Sequence, residues 1–248
     1  MRDILRQVAR GLRRKRRGRS IAEFARSAED APRADDAFSQ LFFEYDGERL
    51  IHKWAHYLSI YSRLFAPFRN SAPRFLEIGV SQGGSLEMWR SFFGPNATIF
   101  GIDVDPECAK FDDHIASVRI GSQADPAFLH SVVAEMGGLD IVLDDGSHVA
   151  SLQAASLKTL FPLLSYGGLY IVEDAHTAYW SAFEGGYRRR GTIVETGKSI
   201  IDDLHAWYHD RGHRHPDIEV GSIQFFDSIV AIEKQRRSRP FHVKVGAG

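Results

Sequence analysis

Residues 141–148 constrain the fold of this chain more than any other stretch. Three apolar residues lead there into two acids, a glycine, a serine and a histidine. A short apolar run of this kind predicts a buried strand of a parallel sheet. Ligands of open α/β sheets bind beyond the carboxyl ends of such strands. We therefore expect Asp144, Asp145 and His148 to emerge beside a binding site.

A second acid pair follows a second apolar run. Residues 169–172 lead into Glu173 and Asp174, and then into an Ala-His-Thr sequence. Carboxylate oxygens are the ligands that hard cations such as Mg²⁺ prefer. Two strand ends that each carry paired acids therefore indicate one hard-metal site shared between neighbouring strands.

Composition limits the class of protein. The chain has 248 residues, 44% of them apolar, and a formal net charge of −1, which is typical of one sizeable globular domain with additions. The single cysteine, Cys108, excludes an internal disulfide framework and a thiolate zinc site, and it fits a cytoplasmic location. No apolar run reaches the roughly 18 residues of a membrane-spanning segment.

Residues 1–27 form a predicted basic arm, with nine Lys or Arg among the first 20 residues against one acid, Asp3. One interpretation is an amphipathic helix that makes a weak contact with an anionic membrane or another polyanion through residues 1–20. The other is a solvated arm or an oligomer contact. Nucleic-acid binding is disfavoured because only this arm is strongly basic and no RNA-binding motif accompanies it.

Residues 28–72 form a predicted helical extension or lid. Residues 28–50 are rich in turn-forming pairs and indicate a linker or loop. Residues 51–68 carry apolar and aromatic side chains at spacings of three and four, which predicts an amphipathic helix with Lys53 and Arg63 toward solvent. Its aromatic stripe belongs to the core or covers an active site.

Residues 73–248 form the predicted ligand-binding domain. After the strand at 74–78, a glycine-rich loop leads into a helix, but it matches neither Gly-x-Gly-x-x-Gly nor a nucleoside-triphosphate loop. Residues 175–197 are a candidate lid or substrate loop. A helix from about residue 198 to 210 and two strands, 219–226 and 228–233, complete the domain.

Several residues of the first half are candidates for binding a small ligand. Gly79 and Gly83 allow close approach to the backbone, and Glu77 beside them suits a zwitterionic ligand. Asp103 ends the second strand, where a carboxylate can bind a ribose diol. Ser122 and Gln123 either contact an adenine edge or form a loop and helix cap.

The order of these motifs resembles the class I S-adenosylmethionine-dependent methyltransferases over roughly residues 50–235. More narrowly, Asp-Asp-Gly-Ser-His and Glu-Asp-Ala-His-Thr-Ala-Tyr-Trp resemble the metal-dependent sugar O-methyltransferases of the mycinamicin and macrocin type. The resemblance implies an α/β fold with a doubly wound, Rossmann-like sheet. We add a helical N-terminal extension and a C-terminal antiparallel strand hairpin to that expectation.

The resemblance also implies roles for individual residues. The methionine end of the cofactor would contact Gly79, Gly83 and Ser85, its ribose Asp103, its adenine Gln123, and its amino or sulfonium region Asp144. The implied Mg²⁺ ligands are Asp145, Glu173 and Asp174, with Mn²⁺ or Ca²⁺ as alternatives, and the implied general base is His148. The residues that either shape a sugar pocket or merely pack are His176, Tyr179 and Trp180.

Simpler functions for two of these residues stay open at this point. Asp145 could cap the following helix instead of binding metal. His148 could bond only to the backbone instead of acting as a base.

The predicted function is therefore Mg²⁺-dependent methyl transfer from S-adenosylmethionine to a sugar hydroxyl of a natural product, glycolipid or polysaccharide. One alternative is O-methylation of a catechol or another phenol, which also presents a diol to a metal. Another is a cofactor- or nucleic-acid-binding module that uses the basic arm. Relatives in the family form dimers and tetramers, which implies a homo-oligomer.

Overall fold

The computed structural model describes residues 26–27, 29–31, 33–210 and 219–246. The basic arm lies almost entirely outside these ranges, so both interpretations of residues 1–20 stay predictions. Within the described ranges, no helix combines the length and the apolar character that crossing a membrane requires.

A seven-stranded mixed sheet organises the described part of the chain, in the strand order β3-β2-β1-β4-β5-β7-β6. Strands β1 to β5 are parallel, whereas β7 pairs antiparallel with both β5 and β6. The strands are β1 Arg74–Ile78, β2 Thr98–Asp103, β3 Ser117–Ile120, β4 Leu139–Asp144, β5 Leu164–Val172, β6 Val220–Phe225 and β7 Val230–Lys234. The predicted parallel sheet and C-terminal hairpin are confirmed.

The strand register brings the predicted site residues to one edge. Ile78 of β1 lies opposite Ile102 of β2 on one side and Asp144 of β4 on the other. Asp144 in turn lies opposite Val172 of β5. The residues that follow these strands, including both acid pairs, therefore emerge together at the carboxyl edge.

Helices cover both faces of the sheet, as the doubly wound prediction requires. The α-helices are α1 Ala37–Phe43, α2 Ala55–Phe65, α3 Gly84–Phe93, α4 Pro126–Met136, α5 Ala150–Leu160 and α6 Ile193–Leu204. One apolar cluster packs α1, α2 and α3 on one face, and a second packs α4, α5 and α6 on the other. Most of the helical extension is therefore part of the first core.

The prediction of a linker over residues 28–50 is wrong for α1. The carboxylate of Asp36 accepts hydrogen bonds from the backbone N–H groups of Phe38 and Ser39 and so caps the helix. Phe38 is fully buried and stacks on Phe92 of α3, with ring centroids 4.1 Å apart. The cap and the buried ring stabilise this short helix. Its seven residues are too few to show a clear helical periodicity of apolar residues in the sequence.

The predicted loop and helix after β5 also differ from the structure. Residues 175–197 contain two short 3₁₀ helices, Ala175–Tyr179 and Ser181–Phe183. Helix α6 begins at Ile193, earlier than predicted, because the Thr192 hydroxyl caps it. A closing motion of this segment stays a prediction.

Candidate active site

Two groups of residues meet at the carboxyl edge. We call the loop after β1 and the ends of β2 and β3 the cofactor side, after the role predicted for Glu77, Gly79, Gly83, Ser85, Asp103, Ser122 and Gln123. We call Asp145, His148, Glu173 and Asp174 the acid side.

Glu77 lies at the boundary between the two sides. It is fully buried, and the Ser85 hydroxyl donates to its Oε2 at 2.8 Å. Burial raises the pKa of Glu77 to about 7, although the Lys53 ammonium opposes the shift. Its Oε1 is buried and meets no hydrogen-bond partner among the described residues. A buried oxygen that has no hydrogen bond, with the Lys53 ammonium 4.0 Å away as its ion-pair partner, fits the ammonium group of a zwitterionic ligand.

The two predicted glycines are required by the geometry of the loop. Gly79 and Gly83 have φ angles of 96° and 76°, which non-glycine residues rarely adopt. A Cβ on Gly79 would lie 2.3 Å from the carbonyl oxygen of Asp145, and one on Gly83 would lie 2.7 Å from the Phe111 ring. The loop therefore passes close to the acid-bearing strand end with no room for a side chain.

Asp103 holds the same loop from the end of β2. Its Oδ2 accepts hydrogen bonds from the backbone N–H groups of Val80 and Ser81 at 2.9 and 3.1 Å. Its Oδ1 accepts one from Asp105 at 3.0 Å. Asp103, which was predicted to bind the ribose, thus also fixes the conformation of the loop. Its contact with a ribose stays a prediction.

Asp144 and Gln123 contact each other in the interior. Burial raises the pKa of Asp144, which accepts hydrogen bonds from Ser156, Tyr170 and Gln123. The Oε1 of Gln123 accepts from the backbone N–H of Ser147 at 3.0 Å. Asp144 and Gln123 were predicted to contact the cofactor, and in the structure they support the loop that carries the acid side. Their contact with a cofactor stays a prediction.

Ser122, the other candidate for an adenine contact, has a local role in the structure. Its hydroxyl oxygen accepts from the backbone N–H of Ala124 at 3.2 Å. Asp125 caps α4. The loop-and-cap alternative for residues 122–125 is therefore present, and an additional adenine contact stays a prediction.

Asp145, His148 and Asp174 converge on one point of the acid side. One ligand atom from each lies within 4.8 Å of the others. The Nε2 atom of His148 lies 3.6 Å from Asp174 Oδ2 and 3.9 Å from Asp145 Oδ1. The Nδ1 atom of His148 is buried without a hydrogen-bond partner in the described part of the chain. This set of hard oxygen donors and one imidazole fits a divalent cation.

Glu173, the third predicted metal ligand, lies behind that point. It is 2% exposed, and burial together with the nearby Asp145 carboxylate raises its pKa. Both of its oxygens accept from Lys53 Nζ, at 2.9 and 3.0 Å, and Oε1 also accepts from the Tyr61 hydroxyl at 2.5 Å. Its carboxylate is outside the converging trio, and its role as a ligand stays a prediction.

The prediction that Lys53 points to solvent is wrong. Its side chain is 4% exposed, and its ammonium lies 2.5 Å from Asp145 Oδ2 as well as against Glu173. The residue precedes α2, so helical periodicity does not govern where it points. The nearby acids raise the pKa of Lys53 against the opposing effect of burial.

Sequence reasoning also missed two polar contacts, one on the acid side and one beside it. The Tyr57 hydroxyl donates to Asp174 Oδ1 at 2.7 Å. Ser228, in the turn between β6 and β7, places its hydroxyl 2.5 Å from His176 Nδ1. The helical spacing of Tyr57 and Tyr61 was visible in the sequence, but it indicated core packing and gave no sign of a carboxylate partner.

Aromatic rings flank the acid side where an acceptor was predicted to bind. The His176 ring lies 4.7 Å from that of Trp180 and 6.1 Å from that of Trp54. Phe183 lies 6.0 Å from Trp180. Trp180 and Tyr179 are 40% and 51% exposed. Their accessible faces leave the predicted sugar contact available, and it stays a prediction.

No protein-family model matches the chain. It is 38% identical over 200 residues to 8-demethyl-8-alpha-L-rhamnosyl tetracenomycin-C 2'-O-methyltransferase of Streptomyces olivaceus, an alignment that covers 75% of this chain and 52% of the relative. It is 36% identical over 194 residues to mycinamicin VI 2''-O-methyltransferase of Micromonospora griseorubida, covering 71% of this chain and 47% of the relative.

The fold is similar to that of MycE methyltransferase from the mycinamycin biosynthetic pathway in complex with Mg, S-adenosylhomocysteine (SAH) and mycinamycin VI. The TM-score is 0.70 at 32% identity, over 82% of this chain and 54% of the other. The predicted class I methyltransferase fold and the resemblance to antibiotic-pathway enzymes are therefore confirmed. The chain spans about half the length of these relatives.

Proposed function

We propose that this chain, a homologue of sugar O-methyltransferases from antibiotic pathways, transfers the methyl group of S-adenosylmethionine to a sugar hydroxyl with the help of a divalent cation. The acceptor class is a glycosylated natural product. The observation that carries the proposal is the convergence of Asp145, His148 and Asp174 within 4.8 Å, directly beside the glycine-rich loop.

The cofactor side supplies the contacts for S-adenosylmethionine. Glu77 Oε1 would accept from the amino group of the methionine moiety, and the N-terminus of α3 would face its carboxylate. Asp103 would bind the ribose hydroxyls while it holds the loop. Gly79 and Gly83 would let the loop adopt the positive φ angles that place its backbone against the ligand.

The acid side supplies the chemistry at the acceptor. Asp145 and Asp174, with Glu173 as the further predicted ligand, would hold Mg²⁺, and Mn²⁺ or Ca²⁺ are alternatives. Bound there, the cation would lower the pKa of a coordinated sugar hydroxyl, and bound S-adenosylmethionine would supply an electrophilic methyl group.

His148 would take the proton of that hydroxyl, and its imidazole would then not bind the cation, because it lies beside the two carboxylates that would hold the cation. The hydroxyl oxygen would form a bond to the methyl carbon as the carbon–sulfur bond breaks, leaving the electron pair on sulfur. The aromatic rings of His176, Tyr179 and Trp180 would contact the sugar and place its hydroxyl in line with the methyl group.

A methyl-transfer assay tests this function. The chain is incubated with S-adenosylmethionine labelled in the methyl group and with glycosylated polyketides, their aglycones or catechol. We expect label only in the glycosylated acceptors, loss of transfer in EDTA, and recovery with Mg²⁺. Transfer to catechol alone, or undiminished transfer in EDTA, would overturn the proposal.

Two variants make the assay specific to the site. Asp174→Asn removes one charge from the converging trio and should lower the rate by at least about 100-fold. Asp105→Asn is the matched control, because Asp105 accepts from the Glu107 backbone N–H and caps a 3₁₀ helix away from the acids. Equal rates for both variants would contradict the assigned role of Asp174.

The proposal also covers assembly and location. A homo-oligomer is expected from the family resemblance, and a cytoplasmic location from the single, buried, unpaired Cys108. A weak anionic-membrane contact through residues 1–20 is tested by vesicle binding before and after their deletion.

A further inference from the structure

Three polar side chains of the extension reach the acid side at regular intervals. Lys53, Tyr57 and Tyr61 are spaced four residues apart, and the last two lie in α2. Tyr57 and Tyr61 therefore share one face of α2, and Lys53 lies just before that helix. Lys53 donates to Asp145 and Glu173, Tyr57 donates to Asp174, and Tyr61 donates to Glu173. Every acid of the predicted metal site therefore has a partner from this one segment.

The contacts divide the oxygens of the two aspartates. Asp145 Oδ2 bonds to Lys53, while its Oδ1 faces His148. Asp174 Oδ1 bonds to Tyr57, while its Oδ2 faces His148. In both residues the extension holds one oxygen and leaves the other directed at the converging point.

The backbone at this point also needs outside support. Asp174 and His148 have φ angles of 51° and 56°, in the left-handed region that costs a non-glycine residue free energy. Such conformations persist where surrounding contacts over-determine them. Besides accepting its hydrogen bond, Asp174 donates its backbone N–H to the Tyr57 hydroxyl oxygen at 3.3 Å. Tyr57 thus holds both the side chain and the backbone of Asp174.

The extension is itself rigidly placed. Tyr57 and Tyr61 are fully buried, and the Tyr61 ring packs against those of Phe65 and Trp89 at 5.8 and 5.4 Å. The hydroxyl groups at the ends of these rings have fixed positions because the rings belong to the core.

We propose that Lys53, Tyr57 and Tyr61 are positioning residues of the metal site, which aim the free oxygens of Asp145 and Asp174 at the cation and hold Glu173 behind them. This inference rests on the proposed function, since it assumes that the acid side binds a divalent cation. Outer groups that orient metal ligands contribute about 10- to 100-fold to metal affinity.

The test compares Mn²⁺ binding to wild type, Tyr57→Phe and Tyr61→Phe, each saturated with SAH, by electron paramagnetic resonance. Phenylalanine preserves the packed ring and removes only the hydroxyl. We expect Mn²⁺ affinity to fall about 10-fold in Tyr57→Phe, with SAH affinity unchanged. The matched control is Tyr45→Phe, because the Tyr45 hydroxyl donates to a carboxylate of the cofactor-side helix, Glu87, at 2.5 Å.

The outcomes separate the two proposals. If wild type binds Mn²⁺ and both site variants bind it equally well, the positioning role is wrong while the proposed function stands. If wild type binds SAH but no Mn²⁺, the proposed metal-dependent function is wrong, and the positioning role is then wrong as well. A fall of the same size in Tyr45→Phe would mean that any lost tyrosine–carboxylate bond weakens the site, which also overturns the inference.

Discussion

On the cofactor side the polar contacts join segments that are close in sequence, whereas on the acid side they join segments far apart. Glu77 bonds to Ser85, and Asp103 bonds to the amides of the loop that follows β1. Lys53 and Tyr57, in contrast, contact acids more than 90 residues further along the chain. The first side is assembled by the consecutive elements from β1 to β3, whereas the second also depends on contacts from an extension that precedes the sheet.

Replacing Lys53 should have the largest effect on stability. Lys53→Met would leave Asp145 and Glu173 without their cationic partner in a buried site. Breaking a buried ion pair from one side costs about 3–5 kcal/mol of the free energy of unfolding. Urea unfolding of the SAH-free protein measures this cost.

Arg63→Met is the matched control for Lys53, since Arg63 is an exposed cation of the same extension. Its substitution should change the free energy of unfolding by less than about 0.5 kcal/mol. If the two variants are equally stable, the ion pairs of Lys53 do not stabilise the acid side. The statement that the acid side depends on the extension would then be wrong.

The difference between local and long-range contacts also explains which parts of the site could be predicted from the sequence. The ends of β1, β2, β4 and β5 are marked by local patterns, so the parallel sheet and the meeting of Glu77, Asp103, Asp145 and Asp174 at one edge followed from the chain alone. Lys53 was misplaced because burial of a lysine depends on acids brought together by tertiary packing. Ser228 gave no signal because its partner, His176, lies 52 residues earlier in the chain, in the 3₁₀ helix after β5.

The pH dependence of stability tests the environment of Glu77, which lies at the boundary between the two sides. Its pKa is about 7 in the folded protein against an ordinary value of 4.5, so the folded state keeps a proton that the unfolded chain releases. Stability should therefore fall as pH rises from about 4.5 to 7, by at most about 1.4 kcal/mol per pH unit. In Glu77→Gln this part of the decline should vanish in urea unfolding curves collected across that range. If the free energy of unfolding of Glu77→Gln falls with pH as steeply as that of wild type, a group other than Glu77 titrates in this range.

Asp36 should give the smallest effect, because it caps α1 at the far end of the extension. Asp36→Ala should lower the free energy of unfolding at pH 7 by about 1 kcal/mol. Burial opposes ionisation, but hydrogen bonds from Ser62, Ser39 and Ser59 prevail and lower the pKa of Asp36 to about 2. Its contribution is therefore present above pH 3.8 and lost as the pH falls toward 2.

The pH dependence of Asp36 is checked by thermal unfolding of wild type and Asp36→Ala at pH 7 and at the lowest pH that keeps wild type folded. The two proteins should differ less in acid than at pH 7. A constant difference would mean that the Asp36 side chain acts without its charge.

The most direct test of the account is calorimetric titration of SAH and of Mn²⁺ into wild type, Asp103→Ala and Asp174→Asn. The account predicts that Asp103→Ala loses SAH affinity, and that Asp174→Asn keeps SAH affinity but binds Mn²⁺ at least about 10-fold more weakly. If each variant loses both ligands equally, or if wild type binds neither, the carboxyl edge is not divided into a cofactor side and a metal-binding acid side.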